Sequence, residues 1–427
     1  MRRLLLVLLV LSVVEALALP SFIYGQEAAP GRAIALDEAF RLALARSERV
    51  AQTAAGVAEA EAKVDEILSY VKPRVAFSAV QISQDAGDTT GAGSSFNKTY
   101  RPEYKFTGHQ PLFSGFRDFL AYKAAKRQKD ATELGLRRVR SLLYQDVAAA
   151  YVSLLGVRDE RGIRAAVRDL TRGRVKELQD FRKLGRSRES EVLAAESQLA
   201  SAEAELEAVS GREQLAQETL RFLTGLDEDL APAALAAPAP ETRDAFLQAA
   251  RGRPDVEAAR RSLDAAELSI AVNSRERWPL IALDGNYYLK RAGISRDVRW
   301  DATLSGVLPL YYGGAITSRT REAEARRDAA RQSLSAAERT ALSEVRSAHD
   351  GLGAALRRIA ALEKAADLAE KNTRAQQDDY RNGLVTNLDV LGSLAALQQT
   401  RLLLDGARLD AALARTRLEV AAGGPNL

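Results

Sequence analysis

The second half of this chain repeats the first, and that duplication constrains its fold more than any other feature. His109-Gln110-Pro111-Leu112-Phe113-Ser114-Gly115 is answered by Val307-Leu308-Pro309-Leu310-Tyr311-Tyr312-Gly313. Both place Pro-Leu-aromatic-x-Gly before a long polar-alanine stretch. From Gly115 to Gly313 the offset is 198 residues, and it also carries Gly185 onto Gly383, Glu191 onto Asp389 and Tyr151 onto His349. Upstream the offset is 206, carrying Phe40 onto Phe246 and Pro73 onto Pro279, because the loop after Ile82 is longer than its counterpart near Gly293. Such order, kept in both halves, marks one unit used twice. Length alone suggests two or three domains for 427 residues. The repeat argues instead for one intertwined body of two similar halves, residues 36–225 and 243–427.

Each half opens with an amphipathic helix, 36–46 and 243–251, and a second helix follows up to Pro73 or Pro279. Proline disfavours helix in the residue before it, so these helices are expected to stop at Lys72 and Trp278. The period then changes to two. Strands are expected at 74–83 and 100–110, around a Gly/Ser/Thr/Asp loop, and at 280–291 and 297–308, around a turn at Gly293. Each is about the length of one tilted strand across a bilayer. Tyr70, Phe113, Trp278, Tyr311 and Tyr312 lie near the segment ends, where an interfacial aromatic belt would sit. Pattern alone leaves an ordinary soluble antiparallel sheet open.

Proline-free stretches follow at 116–183 and 316–381. As helices these would be about 100 Å long, too long for a globular domain to house. Glycine turns at Gly185 and Gly383 send the chain back through helices at 190–224 and 388–421. Val192, Leu199, Leu206 and Leu220 keep a seven-residue register, as do Val390, Leu397, Leu404, Ala411 and Leu418. That spacing means coiled-coil packing. Small residues such as Ala195, Ala202, Ser393 and Ala407 stand three places later and let backbones approach closely. The two half-length helices of each repeat, stacked end to end, would run beside one long helix. The Ala/Pro-rich linker 226–242 is expected to be irregular, and Gly423-Gly424-Pro425 to stop the last helix at Ala422 without a long extension.

Residues 1–18 read as a secretory signal: Arg2 and Arg3, an apolar run from Leu4 to Val14, then Ala16-Leu17-Ala18. Residues 19–35 then form an N-terminal segment, with cleavage as late as Gly25 as the alternative. The apolar run is too short for a transmembrane helix. Any membrane crossed after export must be crossed by strands. With no cysteine, disulfides, thiolate chemistry and a lipid-modified mature N-terminal cysteine are excluded. Net charge is +4, but the signs interleave at helical spacing, which reads as solvated helix faces and not a nucleic-acid surface. No catalytic, cofactor or metal site is expected. His109 and His349 show no acidic or serine partner at a recognisable spacing, and Asp85 and Asp88 lack the remaining positions of a calcium loop.

Four strands cannot close a transmembrane barrel, whose smallest examples have about eight. An open edge in lipid leaves backbone groups unpaired. Two chains would give eight strands, and three would give twelve with room for a lumen.

The arrangement resembles the TolC-type outer-membrane channels, the outer-membrane efflux protein family. The carriers are the tandem repeat, Pro-Leu-Phe-Ser-Gly and Pro-Leu-Tyr-Tyr-Gly, and the tips 181–193 and 380–391. Tyr380-x-x-Gly383-x-x-x-x-x-Asp389-Val390-Leu391 follows the family's tip pattern closely. The resemblance implies a mainly α fold with a small β part: tandem-duplicated coiled-coil helices forming an α-barrel, below a shared twelve-stranded β-barrel. It implies a homotrimer in the bacterial outer membrane, in contact with its lipid. A periplasmic adaptor (membrane fusion) protein and an inner-membrane transporter would be its partners, for efflux or type I secretion. Asp389 falls on a position whose acidic ring narrows the closed entrance, although read as residues alone Asp389 and Glu191 are also N-cap-region carboxylates favoured by the helix dipole. Glu191 and Tyr380 fall on positions that hold neighbouring tip helices together. Leu184, Gly185, Gly383, Leu384 and Thr386 fall on the tips where an adaptor docks. Two departures make the closed-state network sparser: Gly392 where some members carry a second acid, and Val385 where some carry arginine. The rival reading is a periplasmic coiled-coil scaffold or adaptor with a soluble sheet.

Overall fold

The computed structural model describes residues 31–83, 100–235, 238–239, 242–292 and 296–424. The expected export signal, the whole 84–99 loop with Asp85 and Asp88, the Gly293 turn and Pro425 lie outside the described residues. In chain order the elements are β1 (Arg32–Ile34), α1 (Leu36–Arg46), α2 (Glu48–Ser69), β2 (Arg74–Ser83), β3 (Tyr100–Phe113), α3 (Arg117–Lys183) and α4 (Glu189–Thr224). Then come β4 (Leu230–Pro232), α5 (Arg243–Ala250), α6 (Pro254–Ser274), β5 (Leu280–Lys290), β6 (Trp300–Val307), α7 (Ala315–Arg381) and α8 (Asn387–Ala422).

α3 and α7 each have 67 residues, and α4 and α8 each have 36. At about 1.5 Å per residue the long pair spans about 100 Å. α2 and α4 both pack on α3, while α6 and α8 both pack on α7. α6 and α8 also touch α3, so they sit between the two long helices and join the repeats. The seven-residue register explains the packing. Val390, Leu397, Leu404, Ala411 and Leu418 are all buried, as are Ser393 and Ala407 three places on. In α4, Val192, Ala195, Ala202, Val209 and Leu220 are buried in the same way. Among the described residues no helix is long and apolar enough to cross a membrane.

Four corrections to the sequence reading concern element ends. α2 and α6 stop at Ser69 and Ser274, not at Lys72 and Trp278. The chain needs a turn after Ser69, and a 3-10 turn at Arg275–Arg277, to swing from helix into strand before the proline. β3 runs on through Pro111 to Phe113, and the ladder accommodates the proline at a register shift. β6 begins at Trp300 instead of 297. The linker is not wholly irregular: β4 pairs in parallel with β1, Arg32 facing Leu230 and Ile34 facing Pro232. Three residues are too few to show a period, but Leu230 is fully buried. Tyr151 on α3 clamps the pair, its hydroxyl 2.9 Å from the carbonyls of both Ile34 and Ala233. This small sheet caps a core of Phe40, Tyr144, Tyr151, Leu154 and Leu220, with Phe40 edge-on to Tyr144.

The larger sheet is antiparallel, in the order β2-β3-β5-β6. Its register sorts the side chains. Val75, Phe77, Phe106, Leu283, Tyr287, Leu304 and Trp300 fall on one face, and that face is exposed: Val75 74%, Trp300 68%, Leu304 68%. The other face carries His109, Asp284, Asn286, Tyr288, Asp301 and Thr303. There Asn286 and Tyr288 donate to Asp301 at 2.7 and 2.9 Å. A soluble sheet would cover its apolar face and wet its polar one. The outer edges of β2 and β6 have no partner strand among the described residues.

Candidate functional site at the helical tips

The tips lie at the ends of α3 and α7 remote from the sheet. Both reversals use one device. Gly185 and Gly383 adopt left-handed backbone, φ +71° and +73°, where a side chain is penalised. Arg186 donates its N–H to the Phe181 carbonyl at 2.8 Å, and Leu384 to that of Asp379 at 2.9 Å. These bonds close the last turn of each long helix and consume its orphan carbonyls. Leu184 and Leu384 are left 68% and 73% exposed at the extremity. A Cβ added at either glycine would meet no atom within 4 Å, so the turn geometry alone demands glycine.

The returning helices open on carboxylate caps. Thr386 is the N-cap of α8. Its N–H and its hydroxyl both donate to the Asp389 Oδ2, at 2.8 and 2.5 Å. The hydroxyl bond and then the backbone bond hold the Asp389 carboxyl below its ordinary range. Glu191 caps α4 likewise, accepting from the Ser187 hydroxyl at 2.7 Å and the Arg188 N–H at 3.3 Å. The Ser187 bond leads in lowering its pKa, with the Arg188 N–H next and the nearby Arg188 and Arg174 charges adding to it. Each carboxylate binds its own helix start. Arg174 is a neighbour common to Glu191 and Tyr380, its charge acting on the one and its guanidinium lying over the ring of the other.

Tyr380 meets a residue that sequence reasoning missed. The Arg174 guanidinium, from α3, lies over the Tyr380 ring, 4.7 Å from its centroid. Arg174 also pairs with Glu177 one turn on. In the sequence it reads as one more charge with an acid three places later, a pattern typical of a solvated helix face. Its side chain is in fact only 16% exposed. Val175, Leu178, Val192 and Ala195 form the apolar core of the first hairpin just beside it. In the second hairpin the Thr373 hydroxyl donates to the Ser393 carbonyl at 3.1 Å, a close approach that small residues permit. Between the hairpins runs an open cleft of about 690 Å³, lined by Leu170, Arg174, Tyr380, Leu391 and Leu394 among others.

The sheet supplies His109 with a partner that no sequence spacing shows. His109 does have an acidic partner: its Nδ1 lies 2.6 Å from Asp284 Oδ1. The partner is 175 residues away and arrives only by pairing of β3 with β5, so no spacing rule could reveal it.

Comparison with known proteins follows the same lines. The TolC outer membrane protein of Vibrio cholerae is 32% identical over 174 residues, which cover 39% of this chain and 40% of that protein. The Escherichia coli TolC protein is 28% identical over 123 residues, 29% of this chain and 25% of that protein. The chain thus matches less than half the length of these curated relatives. Among solved structures, CusC superposes with a TM-score of 0.80 at 18% identity, covering 95% of this chain and 96% of that one. VceC of Vibrio cholerae gives 0.77 at 20% identity, over 91% and 96%. These likenesses establish the fold. The family model for outer membrane efflux proteins matches residues 39–226 and 246–424, one segment for each repeat. By that match the chain belongs to the outer membrane efflux protein family, whose TolC-type architecture its helices and sheet reproduce.

Proposed function

We propose that three copies of this chain form a passive exit duct across the outer membrane and periplasm. The observation that carries this reading is the two-faced, open-edged sheet at the end of helices about 100 Å long. An exposed apolar face opposite a hydrogen-bonded polar face suits a barrel with lipid outside and water inside. Three sheets closed edge to edge give twelve strands and a lumen, and they pair every edge that lipid would punish. α3 and α7 with their half-length companions continue that wall as an α-barrel. The tips, Leu184-Gly185 and Gly383-Leu384 with Thr386, face the periplasm and receive an adaptor's helical hairpin. An inner-membrane transporter supplies the energy, for efflux or type I secretion. Three copies of Asp389, one per protomer, ring the entrance and favour cations. Native mass spectrometry in detergent tests the assembly. Three copies are expected, and a stable monomer that keeps its β signal in circular dichroism would refute the shared barrel.

A further inference from the structure

We propose that Arg174 is a positioning residue that braces the two tip hairpins of one protomer, acting on the ring of Tyr380 and not on its hydroxyl. This rests on the duct reading only for its functional consequence.

Tyr380 is the last aromatic before the second turn, one residue from the end of α7. Arg174 lies about two and a half turns before the end of α3, on the other hairpin. Their contact is therefore a direct side-chain link between hairpins close to the tip. It presents a planar guanidinium to a ring face at 4.7 Å, the geometry of a cation–π contact. The low exposure of the Arg174 side chain matters, because such contacts strengthen as water is excluded. Glu177 fixes the guanidinium from its own helix. The acidic group on the matching position of the first tip, Glu191, is occupied by Ser187 and Arg188. The group that lies over the Tyr380 ring is the Arg174 guanidinium. Neighbouring links are weaker candidates. Arg401 reaches Glu370 at 3.4 Å, but both side chains are on the second hairpin and well exposed. Gln179 reaches Glu196 at 2.9 Å, within the first.

The cysteine-free chain makes the test direct. Cysteines introduced as Leu184→Cys and Leu384→Cys carry nitroxide labels, and electron–electron resonance reads the distance distribution between tips in detergent. Planar-bilayer recording reads the open-to-closed ratio of the same variants. Arg174→Met and Tyr380→Leu are expected to broaden the distances and to shift the ratio about tenfold toward open, equivalent to ~1.4 kcal/mol. The double variant is expected to add little to either. Arg174→Lys keeps the charge but not the plane, and should fall between. Tyr380→Phe keeps the ring and should retain the wild-type distances. If Tyr380→Phe is as loose as Tyr380→Leu, the hydroxyl holds the tip and the proposal is wrong. Wild-type distances in Arg174→Met would also overturn it. A wild-type protein that forms no channel would remove the duct reading, while the label distances would still decide the brace.

Discussion

Gly115 and Gly313 occupy equivalent positions in the two repeats, yet an alanine should harm them unequally. Both have positive φ, +65° and +58°. Alanine in left-handed backbone costs roughly 1–2 kcal/mol at either site. At Gly313 a new Cβ meets nothing within 4 Å. At Gly115 it would stand 2.6 Å from the Trp278 Cβ and 3.1 Å from its Cγ, closer than real Cβ contacts come. The backbone must shift where β3 hands over to α3, and Phe116 beside it is already left-handed. Overpacking of this kind adds about 1–3 kcal/mol. Gly115→Ala should therefore lose about 2–5 kcal/mol and Gly313→Ala only about 1–2. Chemical unfolding in detergent, followed by far-ultraviolet circular dichroism, should rank wild type above Gly313→Ala above Gly115→Ala. Trp278→Ala should give little rescue of Gly115→Ala, because it relieves only the Cγ contact and leaves the closer Cβ in place. Trp278→Gly should recover part of the loss. Equal midpoints for the two alanine variants would refute the contact with Trp278.

Asp389→Asn keeps the cap on Thr386 and removes the charge, so cation selectivity in planar bilayers should fall; unchanged selectivity would place that carboxylate outside the lumen. The Asp389 and Glu191 carboxyls are held below their ordinary values, so the caps stabilise the tips above the unfolded pKa, roughly 4, and weaken as pH falls through the lower folded values. Tip label mobility should stay constant from about pH 7 to 5 and rise only below about 4. Tyr151→Phe strips the shared donor from the Ile34 and Ala233 carbonyls and should cost about 1–3 kcal/mol, with faster amide exchange in β1 and β4. Charge or bulk at Gly185 and Gly383 should abolish export while trimer and membrane insertion survive; intact export in both variants would move the adaptor contact elsewhere.

The long helices were legible because a seven-residue register held through α4 and α8 and no proline interrupted α3 or α7. The tip turns were legible because only glycine suits their backbone. Thr386-x-x-Asp389 announces a capping box in the sequence itself. What stayed hidden depends on contacts made late in the fold. Arg174 is unremarkable until α7 lays Tyr380 under it, and Asp284 finds His109 only after the sheet forms. β4 was hidden for another reason: its ladder is three residues long, and burial of Leu230 carries it where periodicity cannot.

The free outer edges of β2 and β6 have a consequence for how such a duct comes into being. A lone chain offers two unpaired edges and an apolar sheet face, which are templates for wrong association as much as right. In the proposed duct, insertion and oligomerisation therefore cannot be successive events, since no inserted single chain satisfies its backbone. Barrel formation becomes a many-body step whose rate rises steeply with local chain concentration. The helices change that arithmetic. Apolar side chains that the single chain leaves exposed on its helices, such as Leu193, Leu215, Phe222 and Leu368, can bring three chains together in water first, holding six edges close at an effective concentration no free chain reaches. On this view the helical body is also the assembly jig for the barrel. Variants that loosen the helices should then show up first as slow or failed biogenesis, before any defect in a finished channel.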